Sequence, residues 1–206
     1  ARPRAVVAGR QRRGVGQRGR HWQSPNGGVW LSAAMPWPGQ SATAAGLLGL
    51  AVALELANRL ECQGVPVRIK WPNDLLVNGR KLAGVLPRLV HRGPQLRLVR
   101  CGIGLNVMNT VPTGAIALRE LLPRSDASVE IWVGELLLSL ERSLQLLAGS
   151  SAWLQLVEDR LWSDQVSSSD DGPSWTIEGL SPRGGLLLRR GPVSYTHLTL
   201  PTTWLV

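Results

Sequence analysis

The first residues that could do chemistry form a glycine- and arginine-rich segment, Gly14-Val15-Gly16-Gln17-Arg18-Gly19. Its spacing fits the G-x-G-x-x-G pattern of a dinucleotide-binding turn, but such a turn must open a helix. Here it runs into residues 20–28 (RHWQSPNGG), which cannot form one, so the Rossmann interpretation fails. A second interpretation is an anion-binding loop, in which backbone N–H groups converge on a phosphate or carboxylate and Arg18 and Arg20 add guanidinium contacts. On spacing alone, a basic arm without a specific ligand is an equal alternative.

The chain has two lysines, and both lie in short polar motifs. Lys70 opens the segment Lys70-Trp71-Pro72-Asn73-Asp74. Lys81 follows Asn78-Gly79, a dipeptide typical of a type I′ hairpin turn. A third motif, Cys101-Gly102-Ile103-Gly104-Leu105-Asn106, lies at the end of an apolar run. A lysine at a strand end or beside a turn is ordinarily a solvated charge, and this alternative stays open for both lysines.

Together, and in this order, the motifs resemble the catalytic domain of biotin protein ligases. The family pattern is a G-R-G-R-x-G-R-x-W loop, then K-W-P-N-D, then a G-x-K-x-x-G hairpin and finally G-I/L-G-I/L-N. The matching segments span residues 11–106 of this chain. The resemblance implies an α+β fold like that of class II aminoacyl-tRNA synthetases, with a mixed sheet flanked by helices and a small C-terminal SH3-like β domain.

The resemblance also implies a two-step reaction. Family members use ATP and Mg²⁺ to convert biotin to biotinyl-5′-adenylate, and then transfer biotin to a lysine of a biotin carboxyl carrier domain. In the first step two anions, a carboxylate and the α-phosphate, must approach each other, which requires fixed positive charge and oriented N–H groups. Glycine loops, arginines and lysines are the residue types that supply them.

Residues that match family positions form the expected site. The expected catalytic residues are Lys70 and Arg20. Biotin binding is expected at Gln11, Gly14, Val15, Gly16, Gln17, Trp22, Lys70 and Gly84. ATP binding is expected at Arg18, Arg20, Asn73, Lys81 and Asn106, and no residue is assigned to a metal. A plain packing role stays open for Trp22, and Asp74 is expected to hold the turn after Pro72.

The chain departs from the family pattern in three places. Val15 and Gln17 stand where many members have arginines, which predicts weaker retention of the adenylate. The Ser-Thr-Asn segment that precedes the glutamine in the family, and helps to bind biotin, has no counterpart before Gln11. Residues 192–206 abandon the family pattern and are predicted to be foreign to it. The chain opens on Ala1 rather than methionine, which predicts a fragment.

The composition limits the class of protein. The formal net charge is +9, but seven arginines lie in the first twenty residues, and the rest carries 16 basic and 14 acidic groups, a net of +2. With 44% hydrophobic residues the chain is neither disordered nor a membrane protein, and it has no signal-peptide pattern. Cys62 and Cys101 fit no metal spacing and no disulfide framework, which predicts reduced thiols in a cytoplasmic enzyme.

Hydropathy patterns predict the elements that must position these residues. Strands are predicted at Ala5–Val7, Val29–Met35, Val65–Lys70, Asp74–Val77, Lys81–Leu89, Gln95–Val107, Trp175–Ile177 and Gly185–Arg190. Helices are predicted from the N-cap Ser41 to about Cys62, from the N-cap Ser128 to about Leu147, and over Ala152–Trp162. Residues 164–174 are predicted as a loop. The predicted domains are a catalytic domain (1–162), a partial β domain (163–191) and the tail (192–206).

Three other functions compete with this interpretation. A lipoate ligase or lipoyl transferase shares the implied fold and acyl-adenylate chemistry, although the glycine-arginine loop with KWPND favours biotin. A nucleic-acid-binding module could use the basic arm, but the arm has no interleaved aromatic residues, so no nucleic acid is expected as a partner. An inactive homologue is the third. The resemblance implies a carrier domain as the partner and a homodimer in some members, and no membrane association is expected.

Overall fold

The computed structural model describes residues 2–37, 42–167, 174–191 and 194–199, which form two β-sheets and three α-helices. The main sheet has six strands in the order β1-β2-β6-β5-β4-β3, and every pair of neighbouring strands is antiparallel. Parallel contact occurs only at isolated bridges in the described chain. The strands are β1 (Arg4–Ala8), β2 (Val29–Pro36), β3 (Arg68–Lys70), β4 (Asp74–Val77), β5 (Arg80–Arg92) and β6 (Gln95–Leu105).

One face of the main sheet packs on two long helices, α1 (Ala42–Cys62) and α2 (Val129–Ala148). Residues alternate along β2, so that Leu31 and Ala33 are buried against the helices while Ser32 is exposed on the opposite face. The helix α1 is apolar nearly all round because its other face is buried too, in a second hydrophobic cluster that contains Leu50 and Leu54. The opposite face of the sheet is therefore the one left open for a ligand.

Local chemistry fixes the ends of the helices and hairpins as predicted. Ser128 is the N-cap of α2, and its hydroxyl accepts a hydrogen bond from the Ile131 backbone N–H at 3.2 Å, a contact that typically stabilises a helix by about 1 kcal/mol. Asn78 and Gly79 both have positive φ, 49° and 75°, as a type I′ turn requires. The predicted N-cap Ser41 lies outside the described residues.

A second sheet lies beside the first. It has four antiparallel strands in the order β10-β9-β8-β7 and packs with α1 and the short helix α3 (Leu154–Glu158). The Trp71 indole N–H donates to the Gly184 carbonyl at 2.9 Å, so the second sheet contacts the Lys70-Trp71-Pro72 segment directly. Its strands are β7 (Gln165–Ser167), β8 (Ser174–Leu180), β9 (Leu186–Arg190) and β10 (Ser194–Leu198).

Several predicted boundaries were wrong, mostly because backbone groups pair with distant strands. The predicted helix over 152–162 is a 3-10 turn followed by α3, because residues 160–162 pair instead with Ile69 of β3. β3 is shorter than predicted, and the predicted loop at 164–174 contains β7. Ser194–Leu198 pairs with β9, so the second sheet includes residues beyond 191, and the division into domains stays a prediction. The foreign origin of residues 192–206 stays a prediction, and residues 192–193 and 200–206 lie outside the described part.

The two cysteines differ in environment and allow a direct check of this packing. Cys101 is buried in β6, and burial raises the pKa of its thiol to about 12, whereas Cys62 is exposed at the end of α1. Because the thiolate is the reactive form, we expect native protein to react with one equivalent of a thiol reagent near pH ~8, and with two after denaturation. Rapid reaction of both thiols in the native protein would contradict the placement of Cys101.

Within the described part of the chain, no helix combines the length and apolar character needed to cross a membrane.

Candidate active site

A cavity of about 760 Å³ lies on the open face of the main sheet. Its floor is formed by β2, β5 and β6, and its wall by the segment from Gln11 to Trp22. Of the charged side chains at its lining, five are cations and one is a carboxylate, so the cavity attracts anions. These side chains are Arg13, Arg20, Lys81, Arg88, Arg100 and Asp74.

The strand register aligns the motifs in one row across the sheet. Residues directly opposite each other in neighbouring strands point to the same face. In this row Trp30 is opposite Gly104, Gly104 is opposite Gly84, Gly84 is opposite Asp74, and Asp74 is opposite Lys70. Two of the positions, Gly84 and Gly104, carry no side chain, and we call this part of the floor the glycine floor.

The Trp22 indole covers this glycine floor. A Cβ atom placed on Gly104 would lie 2.6 Å from the Trp22 ring, and one on Gly84 would lie 3.1 Å from it. The ring of Trp30 meets Trp22 edge-on, with the centroids 6.4 Å apart. The Trp22 Nε1 atom is buried and has no hydrogen-bond partner among the described residues. The Trp22 N–H is therefore a buried donor that a ligand acceptor could satisfy.

The glycine-arginine segment is an ordered, irregular hairpin rather than a free arm. The Gln11 and Trp22 backbone N–H groups donate to the Ser24 and Gly14 carbonyls at 3.0 and 2.9 Å, and the Ser24 hydroxyl donates to Gln11 Oε1 at 2.7 Å. Gly14 is essential to this packing, because a Cβ there would lie 2.4 Å from the Trp22 carbonyl oxygen. The hairpin thus holds Gln11 and Trp22 against the sheet.

Lys81 is a cation beside the glycine floor. Its Nζ atom lies 2.6 Å from Asp74 Oδ2 and 4.8 Å from the centroid of the Trp22 ring. The ammonium group is therefore held between a carboxylate and an aromatic face, a position that favours a fixed charge. Asp74, expected only to hold the turn, is the counterion of Lys81 inside the cavity.

Two asparagines fix the backbone around Lys81. Asn73 Nδ2 donates to the Val85 carbonyl at 2.7 Å, and the Val85 N–H returns a bond to the Asn73 carbonyl at 2.8 Å. Asn106 is buried, and its Oδ1 accepts a hydrogen bond from Asn109 Nδ2 at 3.0 Å. The two Asn73–Val85 bonds tie the turn before β4 to β5, the Asn106–Asn109 bond closes the turn after β6, and ATP contacts by Asn73 and Asn106 stay predictions.

The structure brings most of the predicted site residues together at the cavity. Two of them do not line it. Lys70 is exposed at the end of β3, one strand beyond Asp74 in the same row, and Arg18 is exposed at the tip of the hairpin with a φ of 57°. The residues that do line it are Gln11, Gly14, Val15, Gly16, Gln17, Arg20, Trp22, Asn73, Lys81, Gly84 and Asn106.

Sequence reasoning missed several lining residues. Ser32, Leu86 and Gly102 form the next row of the floor, and Arg88 and Arg100 form the row after it. The available signal was the strand alternation, since Leu86 and Arg88 follow Gly84 at steps of two residues. The motifs do not encode the register between strands, and that register decides which residues of β2 and β6 lie beside Leu86 and Arg88.

Comparisons with known proteins agree with one another. The model of the biotin/lipoate A/B protein ligase family matches residues 1–106. The chain is 38% identical over 114 residues to the biotin–acetyl-CoA-carboxylase ligase of Paracoccus denitrificans, which covers 54% of this chain and 47% of that protein. It is 39% identical over 106 residues to the bifunctional ligase/repressor BirA of Escherichia coli, covering 50% of this chain and 32% of that protein. The chain thus spans about half, or less, of the length of these relatives.

The fold comparison covers more of the chain. The biotin protein ligase from Aquifex aeolicus, solved in complex with biotin and ATP, superimposes with a TM-score of 0.72 at 25% identity, covering 96% of this chain and 86% of that chain. A biotin acetyl coenzyme A carboxylase synthetase from Helicobacter pylori superimposes with a TM-score of 0.57 at 24% identity, over 88% and 81% of the two chains. The α+β fold expected from the sequence is confirmed, including the small second sheet.

Proposed function

The chain belongs to the biotin/lipoate A/B protein ligase family, and we propose that it is the catalytic part of a biotin protein ligase. In the proposed reaction a biotin carboxylate oxygen attacks the α-phosphorus of ATP, and pyrophosphate leaves. A lysine amine of a biotin carboxyl carrier domain then attacks the acyl carbon of biotinyl-5′-adenylate, and AMP leaves. The observation that carries the proposal is the cationic cavity with a glycine floor, beside which Asp74 holds the Lys81 ammonium.

The cavity has room for a ring-bearing acyl group at one end of a nucleotide. Its volume lies within the ~300–1,000 Å³ that small-molecule sites occupy. Gly84 and Gly104 admit the Trp22 ring directly onto the sheet backbone, and Trp22 and Trp30 thereby supply an apolar wall for the acyl group. The backbone N–H groups of the hairpin and the Arg20 guanidinium would meet the phosphate oxygens.

Lys81 is our choice for the charge that draws the two reacting anions together. Its ammonium is already placed at the glycine floor by Asp74, whereas Lys70 lies outside the cavity lining. Because Lys70 is in the same transverse row, one strand spacing of about 4.8 Å beyond Asp74, its flexible side chain can reach the rim. We therefore assign Lys70 a secondary contact, in place of the leading role that the resemblance implied.

Mg²⁺ fits this site as an ion that enters bound to ATP, and not as an ion held permanently by protein side chains. The described residues contain no group of three His, Cys, Asp or Glu side chains that could hold a metal. Mg²⁺ commonly keeps several waters and binds through substrate phosphates and one or two carboxylates. Asp74 is the carboxylate in the cavity, and the bound ion would offset the negative charge of the phosphates.

The test of the proposal is formation of biotinyl-adenylate by this chain. Incubation with biotin, ATP and Mg²⁺ should release pyrophosphate and yield the adenylate. An inactive homologue would release no pyrophosphate even though it binds ATP, and that result would defeat the proposal.

The second candidate function is lipoate ligation, which the family also includes by name. The glycine-arginine hairpin with KWPND favours biotin. Mass spectrometry of a carrier domain incubated with ATP and either acid separates the two. Lipoylation without biotinylation would reverse the choice.

The remaining expectations follow from the proposed reaction. The partner is the carrier domain of a biotin-dependent carboxylase, and the location is the cytoplasm, where exposed thiols such as Cys62 stay reduced. A homodimer stays a prediction from the resemblance. The nucleic-acid module is disfavoured because the hairpin folds back on itself through the Trp22–Gly14 backbone bond and contributes Gln11 and Arg20 to the cavity lining.

Gln17→Arg should slow the escape of the adenylate. Gln17 lines the cavity at a position where many family members have arginine, and a guanidinium there would add a charge-assisted contact to phosphate. We expect the rate at which biotinyl-adenylate leaves the protein to fall about tenfold. The rate is measured with a trap that reacts only with adenylate released into solution. Gln17→Lys, which adds the same charge without the planar fork, serves as the control. An unchanged release rate in Gln17→Arg would contradict the idea.

A further inference from the structure

A second row of the main sheet carries three arginines on the same face as the cavity. Arg4 of β1 is opposite Ala34, Ala34 is opposite Arg100 of β6, and Arg100 is opposite Arg88 of β5. Directly opposite residues point to the same face, so Arg4, Arg100 and Arg88 form an arginine row with a single alanine between them. The row crosses four strands and is about 14 Å long at the usual strand spacing.

The arginine row has no acidic partner of its own. None of its three guanidinium groups makes a salt bridge or side-chain hydrogen bond with any residue in the described ranges of the chain. Arg88 and Arg100 are a directly opposed pair of like charges, an arrangement that destabilises a sheet. An unfavourable arrangement of this kind becomes favourable when an anionic surface lies over it.

The row is continuous with the mouth of the cavity. Arg88 and Arg100 belong to the cavity lining, while Arg4 lies outside it. The strands place the row four residues from Gly84 and Gly104, which is about 13 Å from the glycine floor. A macromolecule bound to the row would therefore lie at the entrance through which a second substrate must reach the adenylate.

Exposed apolar side chains border the row on the same face. Val6, two residues from Arg4, is 68% exposed, and Val90, two residues from Arg88, is 37% exposed. Arginines mixed with apolar side chains are typical of protein–protein interfaces. Single-stranded nucleic acid is bound instead by aromatic platforms, and the described residues of these rows include no aromatic side chain on this surface beyond the cavity.

We propose that the arginine row docks an acidic face of the protein acceptor, and so delivers the acceptor lysine to the cavity. This inference rests on the proposed function and adds a determinant of acceptor choice to it. The row attracts the acceptor over a distance and orients it, since charges at the rim of an interface act mainly on association rate and salt dependence. Arg4 is the informative member, because it belongs to the row and not to the cavity.

The test compares Arg4→Glu with Arg124→Glu. Both arginines are exposed, and both substitutions change the net charge equally, but Arg124 lies away from the row. The acceptor is a recombinant biotin carboxyl carrier domain with an acidic surface, together with a version whose surface Asp and Glu residues are changed to Asn and Gln. Hydroxylamine, which attacks the adenylate directly to give the hydroxamate, reports adenylate formation without docking.

We expect Arg4→Glu to raise the KM for the acidic acceptor about fivefold at low salt, as the loss and reversal of an exposed ion pair implies. The increase should shrink at high salt and vanish with the neutralised acceptor. Hydroxamate formation should be unchanged, and Arg124→Glu should keep its KM within about twofold. The neutral variant Arg4→Gln should fall between wild type and Arg4→Glu.

The alternative outcomes are distinct. Equal KM values for Arg4→Glu and Arg124→Glu, with normal hydroxamate formation, would overturn the docking surface and leave the proposed function intact. Absence of hydroxamate with the wild-type chain would overturn the proposed function, and this inference with it. Steeply salt-dependent binding of duplex DNA that Arg4→Glu abolishes, with an unchanged acceptor KM, would assign the row to nucleic acid instead.

Discussion

Lys81→Ala is expected to lower the rate of biotinyl-adenylate formation by about 100-fold or more, the usual effect of removing one preorganised charge from a transition state. The substitution removes the ammonium that lies 2.6 Å from Asp74 and over the Trp22 ring. It also leaves the Asp74 carboxylate facing two anionic substrates without a counterion. Pyrophosphate release under saturating biotin and ATP measures the effect.

Three variants separate the causes of that loss. Asp74→Asn removes the repulsive carboxylate, so the double variant with Lys81→Ala should recover part of the activity if repulsion contributes. Lys81→Arg keeps the charge and should retain more activity than Lys81→Ala. Lys70→Ala removes the exposed lysine at the end of β3 and should cost less than Lys81→Ala. A larger loss in Lys70→Ala would return the leading role to Lys70, and full activity in both alanine variants would sink the site assignment.

Gly104→Ala should weaken biotin binding by more than about tenfold, because the new Cβ would lie 2.6 Å from the Trp22 ring, closer than atoms in contact can approach. The indole must then leave the floor, and the methyl group takes its place beneath the acyl group. Isothermal titration with biotin measures the affinity, and tryptophan fluorescence reports the displaced ring.

Gly102→Ala is the matched control. It lies in the same strand, two residues away and on the same face, but a Cβ there would meet its nearest neighbour, Leu86, at 3.8 Å, an ordinary contact distance. We expect a much smaller change in biotin affinity from Gly102→Ala than from Gly104→Ala. Equal losses of biotin affinity in the two variants would show that a methyl group at either position on the floor weakens binding, and that the Trp22 contact is not the cause.

The motifs predicted which residues lie at the candidate site better than they predicted how those residues are arranged. Gly84, Lys81 and Asn106 each stand in a recognisable segment, and the hairpin at Asn78-Gly79 could be read from turn chemistry alone. The pairing of Gly84 with Gly104 depends on the register of β5 against β6, which includes an irregularity at Val90/His91. Register is set by packing over the whole sheet, and no short motif carries it.

The same limit applies to Lys70, whose catalytic role stays a prediction. Sequence reasoning could place Lys70 at a strand end beside Asp74, but could not show that β3 is the outermost strand of the described sheet on that side. Lys81 looked like a solvated lysine after a tight turn. Its partner is seven residues away in sequence and one strand away in space, and only the β4–β5 pairing brings Asp74 beneath it.

The helix α1 belongs to two hydrophobic cores at once. Leu48 and Val52 pack toward the main sheet, while Leu50 and Leu54 pack toward the second sheet. If α1 leaves one core it also exposes apolar surface in the other, so we expect the two sheets to unfold as a single cooperative unit. We therefore expect that the predicted domain boundary near residue 162 separates two sheets that do not fold independently of each other.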